Sequence, residues 1–153
     1  MAIRGPILGL LALALGSTAS AATVVISHDD GGRIGTYIDK FKHIRATEQN
    51  VVIDGDCLSA CTLVVGLIPR DRLCFTARGR LGFHAAWKPG FLGMRVLNDE
   101  GTRTMWLLYP ESIRAWIAHK GGLSDRVMFL EGAELSALYP RCPQGFTARA
   151  QAR

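Results

Sequence analysis

The sequence lacks the features that mark several large classes of protein. No apolar run is long enough for a membrane-spanning helix, since the N-terminal one covers only residues 7–15 and a bilayer requires roughly 20. There is no internal repeat, heptad pattern or low-complexity block. The formal net charge is only +5, with 18 Lys and Arg scattered among 13 Asp and Glu, so nucleic-acid binding is not indicated. A C-x₂-C spacing is also missing, which argues against zinc. We therefore expect no metal, cofactor or nucleic acid.

The N-terminus has the pattern of a secretory signal peptide. Arg4 precedes an apolar run from Ile7 to Leu15, and small residues follow up to Ala19-Ser20-Ala21. Cleavage after Ala21 would leave one domain over residues 22–143 and a flexible tail over residues 144–153. The sequence thus predicts a periplasmic or secreted protein without stable membrane insertion.

Four cysteines, an even number in an exported chain, favour disulfides over metal ligation or free thiols. Cys57, Cys61, Cys74 and Cys142 allow three pairings. The preferred one joins Cys57 to Cys142 and Cys61 to Cys74, which would tie the C-terminal segment to the turn around Ser59.

The central stretch of the chain predicts a nucleophile. Val51-Val52-Ile53 reads as a buried strand, Asp54-Gly55 as a tight turn, and the apolar segment 60–68 as a buried helix that Ser59 opens. Unpaired N–H groups and the positive end of the helix dipole would stabilise an oxyanion there. The alternative role for Ser59 is a helix N-cap without chemistry. A returning strand ends at His84, which would lie beside the serine.

The remaining pattern predicts an α/β fold with a mainly parallel sheet. A β-branched strand over residues 23–27 leads through Gly31-Gly32 into an amphipathic helix, Arg33–Arg45, and then to the strand before Ser59. Ligands bind at the carboxyl ends of such strands, where Gly31-Gly32, Ser59 and His84 would converge. Further expectations are a mobile rim over residues 88–93 and helices over 98–108 and 111–120. A short helix or turn is expected over 124–130, and another over 134–138.

Gly55, Cys57, Ser59 and His84, with Gly31-Gly32 upstream, resemble the motif of the Clp protease proteolytic subunit, within the Clp/crotonase superfamily. The resemblance implies a Clp/crotonase-like α/β fold of βαβ units with a helical C-terminal part. The chain would be a shortened version that lacks an N-terminal strand-helix unit, and it would form a homo-oligomer.

The same resemblance assigns roles to the residues of the site. His84 would take the proton of Ser59, and the backbone N–H groups of Gly32 and Ala60 would hold the oxyanion. The family also places a carboxylate after the helical segment that follows the histidine. Asp125 is the nearest acid, and Glu131 and Glu134 remain alternatives.

Together these features predict an exported, peptidase-like serine hydrolase that cleaves a peptide or a small acyl substrate through an acyl-Ser59 intermediate. The alternative is a catalytically inactive periplasmic binding or scaffold protein with the same fold. Acyl-coenzyme A chemistry of the crotonase type is a third hypothesis, although an exported protein would rarely meet that cofactor. Trp87, three residues after His84, is expected to line a pocket.

Overall fold

The computed structural model of the chain describes residues 22–143. The predicted signal peptide, 1–21, and the predicted tail, 144–153, lie outside this range. The strands are β1 (Thr23–Asp29), β2 (Asn50–Leu58), β3 (Leu73–Phe75), β4 (Arg80–Phe83), β5 (Trp87–Pro89), β6 (Arg95–Leu97) and β7 (Met128–Leu130). The α-helices are α1 (Ile34–Ala46), α2 (Val64–Leu67), α3 (Asp99–Leu108), α4 (Glu111–His119) and α5 (Gly132–Leu138). None of these helices is long and apolar enough to cross a membrane.

The main sheet has the strand order β1-β2-β4-β7, with β3 also paired to β2. β1, β3 and β4 all run parallel to β2, and β7 is antiparallel to β4. β2 is long enough to pair with β3 over Val51–Ile53 and with β4 over Asp56–Leu58. The predicted α/β class with a mainly parallel sheet is confirmed, and the carboxyl ends of β1, β2 and β4 meet at one edge.

The predicted turn at Asp54-Gly55 is wrong, because β2 continues through these residues to Leu58. The register between β1 and β2 shifts between Ile26 and His28, which brings the backbone of Ser27 close to Gly55. A Cβ atom on Gly55 would lie 1.8 Å from the Ser27 carbonyl oxygen. Glycine is therefore needed for a close approach of two strands rather than for a turn.

Two carboxylates on the second half of β2 pair with arginines at the start of β4 and just before it. Arg78 binds Asp54, and Arg80 donates to Asp56 with an Nη2–Oδ2 distance of 3.0 Å. These hydrogen bonds hold the pKa of both carboxyl groups below its usual value. The pairs are partly exposed and contribute little to stability, but they fix β4 against the end of β2.

The predicted buried helix after Ser59 is shorter and tighter than expected. Ser59–Leu63 form a 3₁₀ turn, and only Val64–Leu67 are α-helical. The segment is buried as predicted and joins a core that includes Phe41, Ile44, Met105, Ile113 and Ile117 from the surrounding helices.

Two further segments differ from the prediction. Residues 124–130 do not form a helix or turn throughout, because Met128–Leu130 pair with Leu81–Phe83 as the antiparallel strand β7. Residues 88–93, expected as a mobile rim of turn composition, belong to a β5–β6 hairpin whose tip is a 3₁₀ turn, Phe91–Gly93. β5, β6 and β7 are each only three residues long, which is too short for a periodic sequence signal.

The preferred disulfide pairing is also wrong. The bonds join Cys57 to Cys61 and Cys74 to Cys142, with Cα–Cα distances of 5.3 Å and 4.9 Å. The first is a local bond because the 3₁₀ turn brings the two cysteines together across Ser59. The second forms because the chain returns beside β3, where the N–H of Cys142 donates to the carbonyl of Phe75 at 3.0 Å.

Candidate active site

Ser59 occupies a strained turn at the carboxyl end of β2. Its φ angle is 55°, in the left-handed region that non-glycine residues rarely adopt. Its side chain caps no helix: the N-cap position of the 3₁₀ turn is Leu58, and no side chain there caps the turn. Strain of this kind is characteristic of nucleophile turns, where a sharp strand-to-helix corner presents a hydroxyl group to the cleft.

A buried hydrogen-bond chain holds this turn in place. The Thr62 hydroxyl donates to the Ser59 carbonyl at 2.6 Å and lies 2.7 Å from the Tyr109 hydroxyl, which accordingly donates to it. Thr62 is fully buried, and burial raises the pKa of Tyr109, so the phenol stays neutral. The sequence did not identify these two positioning residues. The one available signal was a polar threonine inside an otherwise apolar segment.

Gly31 lies directly against the serine turn. A Cβ atom on Gly31, where φ is 82°, would stand 2.5 Å from the Leu58 carbonyl oxygen and 2.9 Å from the Ala60 nitrogen. The glycine turn at residues 31–32 is shaped by Asp29, whose Oδ1 accepts a hydrogen bond from the Gly31 N–H at 2.9 Å.

Asp29 is held as a carboxylate by its surroundings. Burial by itself would raise its pKa, but hydrogen bonds from Tyr37, the Gly31 N–H and Lys40 outweigh burial and lower the pKa. The charged carboxylate therefore remains available to fix the glycine turn at neutral pH.

The N–H groups of Gly32 and Ala60 are the two that the sequence analysis assigned to an oxyanion hole. Neither donates to a carbonyl in the turns, loops and caps of residues 22–143. Close contact between Gly31 and Ala60 places the two groups in neighbouring turns at the same edge of the sheet.

His84 directly follows β4, and its ring is oriented by the next residue. Nδ1 lies 2.7 Å from the carbonyl oxygen of Ala85, and because a carbonyl can only accept, Nδ1 carries the proton. The neutral ring then has an unprotonated Nε2, which is the form a general base needs.

One cleft of about 960 Å³ brings these groups together. Its lining includes Gly32, Ser59, His84 and Trp87. Within the described residues no hydrogen bond links the Ser59 hydroxyl to the His84 ring. Contacts of this kind are often long without substrate and tighten when it binds.

Asp125 lies on the other side of His84. Both residues line a second cavity of about 400 Å³, which also includes Trp87 and Arg95. The side chain of Asp125 is exposed and makes no hydrogen bond to His84, whose Nδ1 is already bound to Ala85.

The two alternative acids line neither cavity. Glu134 binds the Trp116 indole at 3.1 Å and Lys120 at 2.8 Å, and these hydrogen bonds lower its pKa. The Oε2 atom of Glu131 lies 3.8 Å from Nη1 of Arg80. Of the three acids, only Asp125 lines a cavity together with His84.

Comparison with known proteins adds little to this geometry. No protein-family model matches the chain, and no curated protein matches it. Among solved structures, the chain is similar to a mutant of ClpP1 from Listeria monocytogenes, with 15% sequence identity and a TM-score of 0.44. The similarity covers 77% of this chain and 70% of that one. Such a distant likeness does not bear on chemistry, which has to be judged from the residues of the cleft.

Proposed function

We propose that the protein is an exported serine hydrolase that cleaves a peptide or a small acyl substrate through an acyl-Ser59 intermediate. The observation that carries the proposal is the left-handed backbone of Ser59, at a strand end, in the same cleft as His84. Glu48 and Leu92 also have a left-handed backbone, but only Ser59 combines it with a place in the cleft that contains His84. The two disulfides support export, because such bonds persist in oxidising compartments.

In this proposal the reaction begins when the Ser59 hydroxyl attacks the substrate carbonyl and passes its proton to His84 Nε2. The negative charge on the substrate oxygen is stabilised by the N–H groups of Gly32 and Ala60. His84 then gives the proton to the leaving group, and the acyl group stays on Ser59. A water molecule then attacks the acyl carbonyl and passes a proton to His84 Nε2. The bond to the Ser59 oxygen breaks, His84 returns the proton to that oxygen, and the acid product leaves.

We assign the orientation of His84 to the Ala85 carbonyl, which accepts the Nδ1 proton at 2.7 Å. A carbonyl fixes the tautomer as a carboxylate would, but it stabilises the imidazolium less because it carries no full charge. Asp125, exposed beside the second cavity, acts in this proposal through its electrostatic field alone.

The second candidate is a catalytically inactive binding protein with the same fold. It is favoured by one observation, the absence of a hydrogen bond between Ser59 and His84 within residues 22–143. In such a protein the cleft would bind its ligand without turning it over.

A fluorophosphonate probe separates the two candidates, since it reacts with activated serines. The oxidised wild type is compared with Ser59→Ala and His84→Ala, and with Ser112→Ala, an exposed serine on α4, as the matched control. We expect labelling of the wild type and of the control, and none of the other two variants. Added imidazole should partly restore labelling of His84→Ala. A folded wild type that stays unlabelled supports the binding protein instead.

A further inference from the structure

The β5–β6 hairpin carries positive charge but no negative charge. Residues 87–97 contain Lys88 and Arg95 and no Asp or Glu. Neither cation has a carboxylate oxygen within 4.0 Å among residues 22–143. Arg78, Arg80, Lys40 and Lys120 all have such a partner. The hairpin cations are therefore free to bind an anion from outside.

Both cations line the cleft that contains Ser59 and His84. Arg95 also lines the second cavity, and its guanidinium group stacks on the Trp87 ring at 4.6 Å from the centroid. This contact gives the guanidinium a defined position above an apolar surface.

The rest of the cleft lining has no such excess of charge. There Arg33 and Asp30 contribute opposite formal charges without forming an ion pair, since Asp30 contacts His28 Nε2 at 3.2 Å, and the other lining residues are mostly glycine or apolar. The hairpin thus contributes an excess of positive charge to the cleft, and the formal charges of Asp30 and Arg33 in the rest of the lining sum to zero.

We infer that Lys88 and Arg95 form a subsite for a carboxylate of the substrate, so that the cleft selects peptides with an acidic side chain or a free C-terminus near the scissile bond. The inference rests on the proposed function in taking peptides as the ligands. Trp87 supplies the apolar wall beside the subsite, and because both cations are exposed to solvent, the selectivity depends on salt.

The test measures binding rather than turnover, with Ser59→Ala protein and fluorescently labelled, blocked peptides. Four peptides share the sequence Ala-Leu-Xaa-Ala: an amide with Glu at Xaa, an amide with Gln, an amide with Lys, and the Gln peptide with a free C-terminus. Fluorescence anisotropy gives each Kd. We expect the two anionic peptides to bind about three- to tenfold more tightly than the Gln amide, and the Lys peptide more weakly. Comparison of the Glu amide with the free-acid Gln peptide shows which carboxylate the subsite takes.

Variants identify the residues responsible. Lys88→Gln and Arg95→Gln should each lower the ratio of Kd values between the neutral and the anionic peptide by about two- to fivefold. Arg95→Lys should retain part of the preference. Arg103→Gln, an exposed arginine on α3 outside both cavities, should change nothing. Raising the salt to about 1 M should erase the preference.

Equal Kd values for the Glu and Gln amides and the free acid overturn the inference, as does no measurable binding of any peptide. Neither result touches the proposed function, which fluorophosphonate labelling of the wild type decides separately. Anion preference without labelling would instead leave the subsite in a binding protein.

Discussion

The Cys74–Cys142 disulfide should contribute mainly to stability, and the Cys57–Cys61 disulfide mainly to the reactivity of Ser59, the proposed nucleophile. Cys74–Cys142 closes a long loop, with a sequence separation of 68, whereas Cys57–Cys61 closes a short one, with a separation of 4. The loop-entropy relation gives about 4 kcal/mol for the long loop and about 2 kcal/mol for the short one. Cys57–Cys61, however, brackets Ser59, so its loss should relax the left-handed turn.

Two double variants test this. Cys74→Ala/Cys142→Ala should lower the free energy of unfolding by about 4 kcal/mol, measured in urea, while the folded protein still reacts with the fluorophosphonate near the wild-type rate. Cys57→Ala/Cys61→Ala should lose less stability, because the opened loop is short. If Ser59 is the nucleophile as proposed, this variant should label at least about tenfold more slowly, because a small displacement of a nucleophile is costly.

A control is needed to separate loss of the short disulfide from loss of core packing. Cys57 and Cys61 are fully buried, so truncation to Ala also removes buried sulfur atoms. Reduction of the Cys74→Ala/Cys142→Ala protein breaks the short loop with both sulfurs in place and should slow labelling equally. A short-loop variant that labels at the wild-type rate, or a long-loop variant as stable as the wild type, would refute the reasoning.

Three further predictions concern residues around the turn. Thr62→Val should lower the free energy of unfolding in urea by about 1–3 kcal/mol and slow labelling about ten- to a hundredfold, because Tyr109 is left unpaired and the Ser59 carbonyl loses its donor. Tyr109→Phe leaves that donor in place and should slow labelling far less. Equal effects of the two variants on labelling would contradict the assigned roles. Gly31→Ala should abolish labelling because its Cβ would meet the Leu58 carbonyl. Gly35→Ala, with open space around its Cβ, should label normally and gain up to about 1 kcal/mol of stability. Normal labelling of Gly31→Ala would contradict the prediction. Asp125→Asn should reduce the labelling rate by less than about tenfold, since the Ala85 carbonyl holds the His84 ring, and a loss near 10⁴-fold would make Asp125 a true triad member.

Much of the α/β fold could be predicted because long elements carry periodic signals. The helix before β2 was expected over Arg33–Arg45 and is found over Ile34–Ala46, and the parallel strands follow from the alternation of strands and helices. The convergence of Gly31-Gly32, Ser59 and His84 on one cleft follows from the same topology.

The errors lie where tertiary contacts override local preference. Asp54-Gly55 has turn composition, yet it stays in β2 because β1 approaches it closely and Arg78 pairs with Asp54. The disulfides depend on whether the chain returns beside β3, which cysteine spacing does not contain. For the same reason the Tyr109 hydroxyl, 47 residues from Thr62, could not be foreseen as its partner.

The most direct test of the central claim is to trap the acyl-enzyme itself. The oxidised protein is mixed with p-nitrophenyl acetate, quenched in acid within seconds, and digested for mass spectrometry. The proposal predicts one acetyl group on the peptide that contains Ser59, matched by a burst of nitrophenol, and neither in Ser59→Ala or His84→Ala. An acetyl group found elsewhere, or no burst from folded wild type, would contradict it.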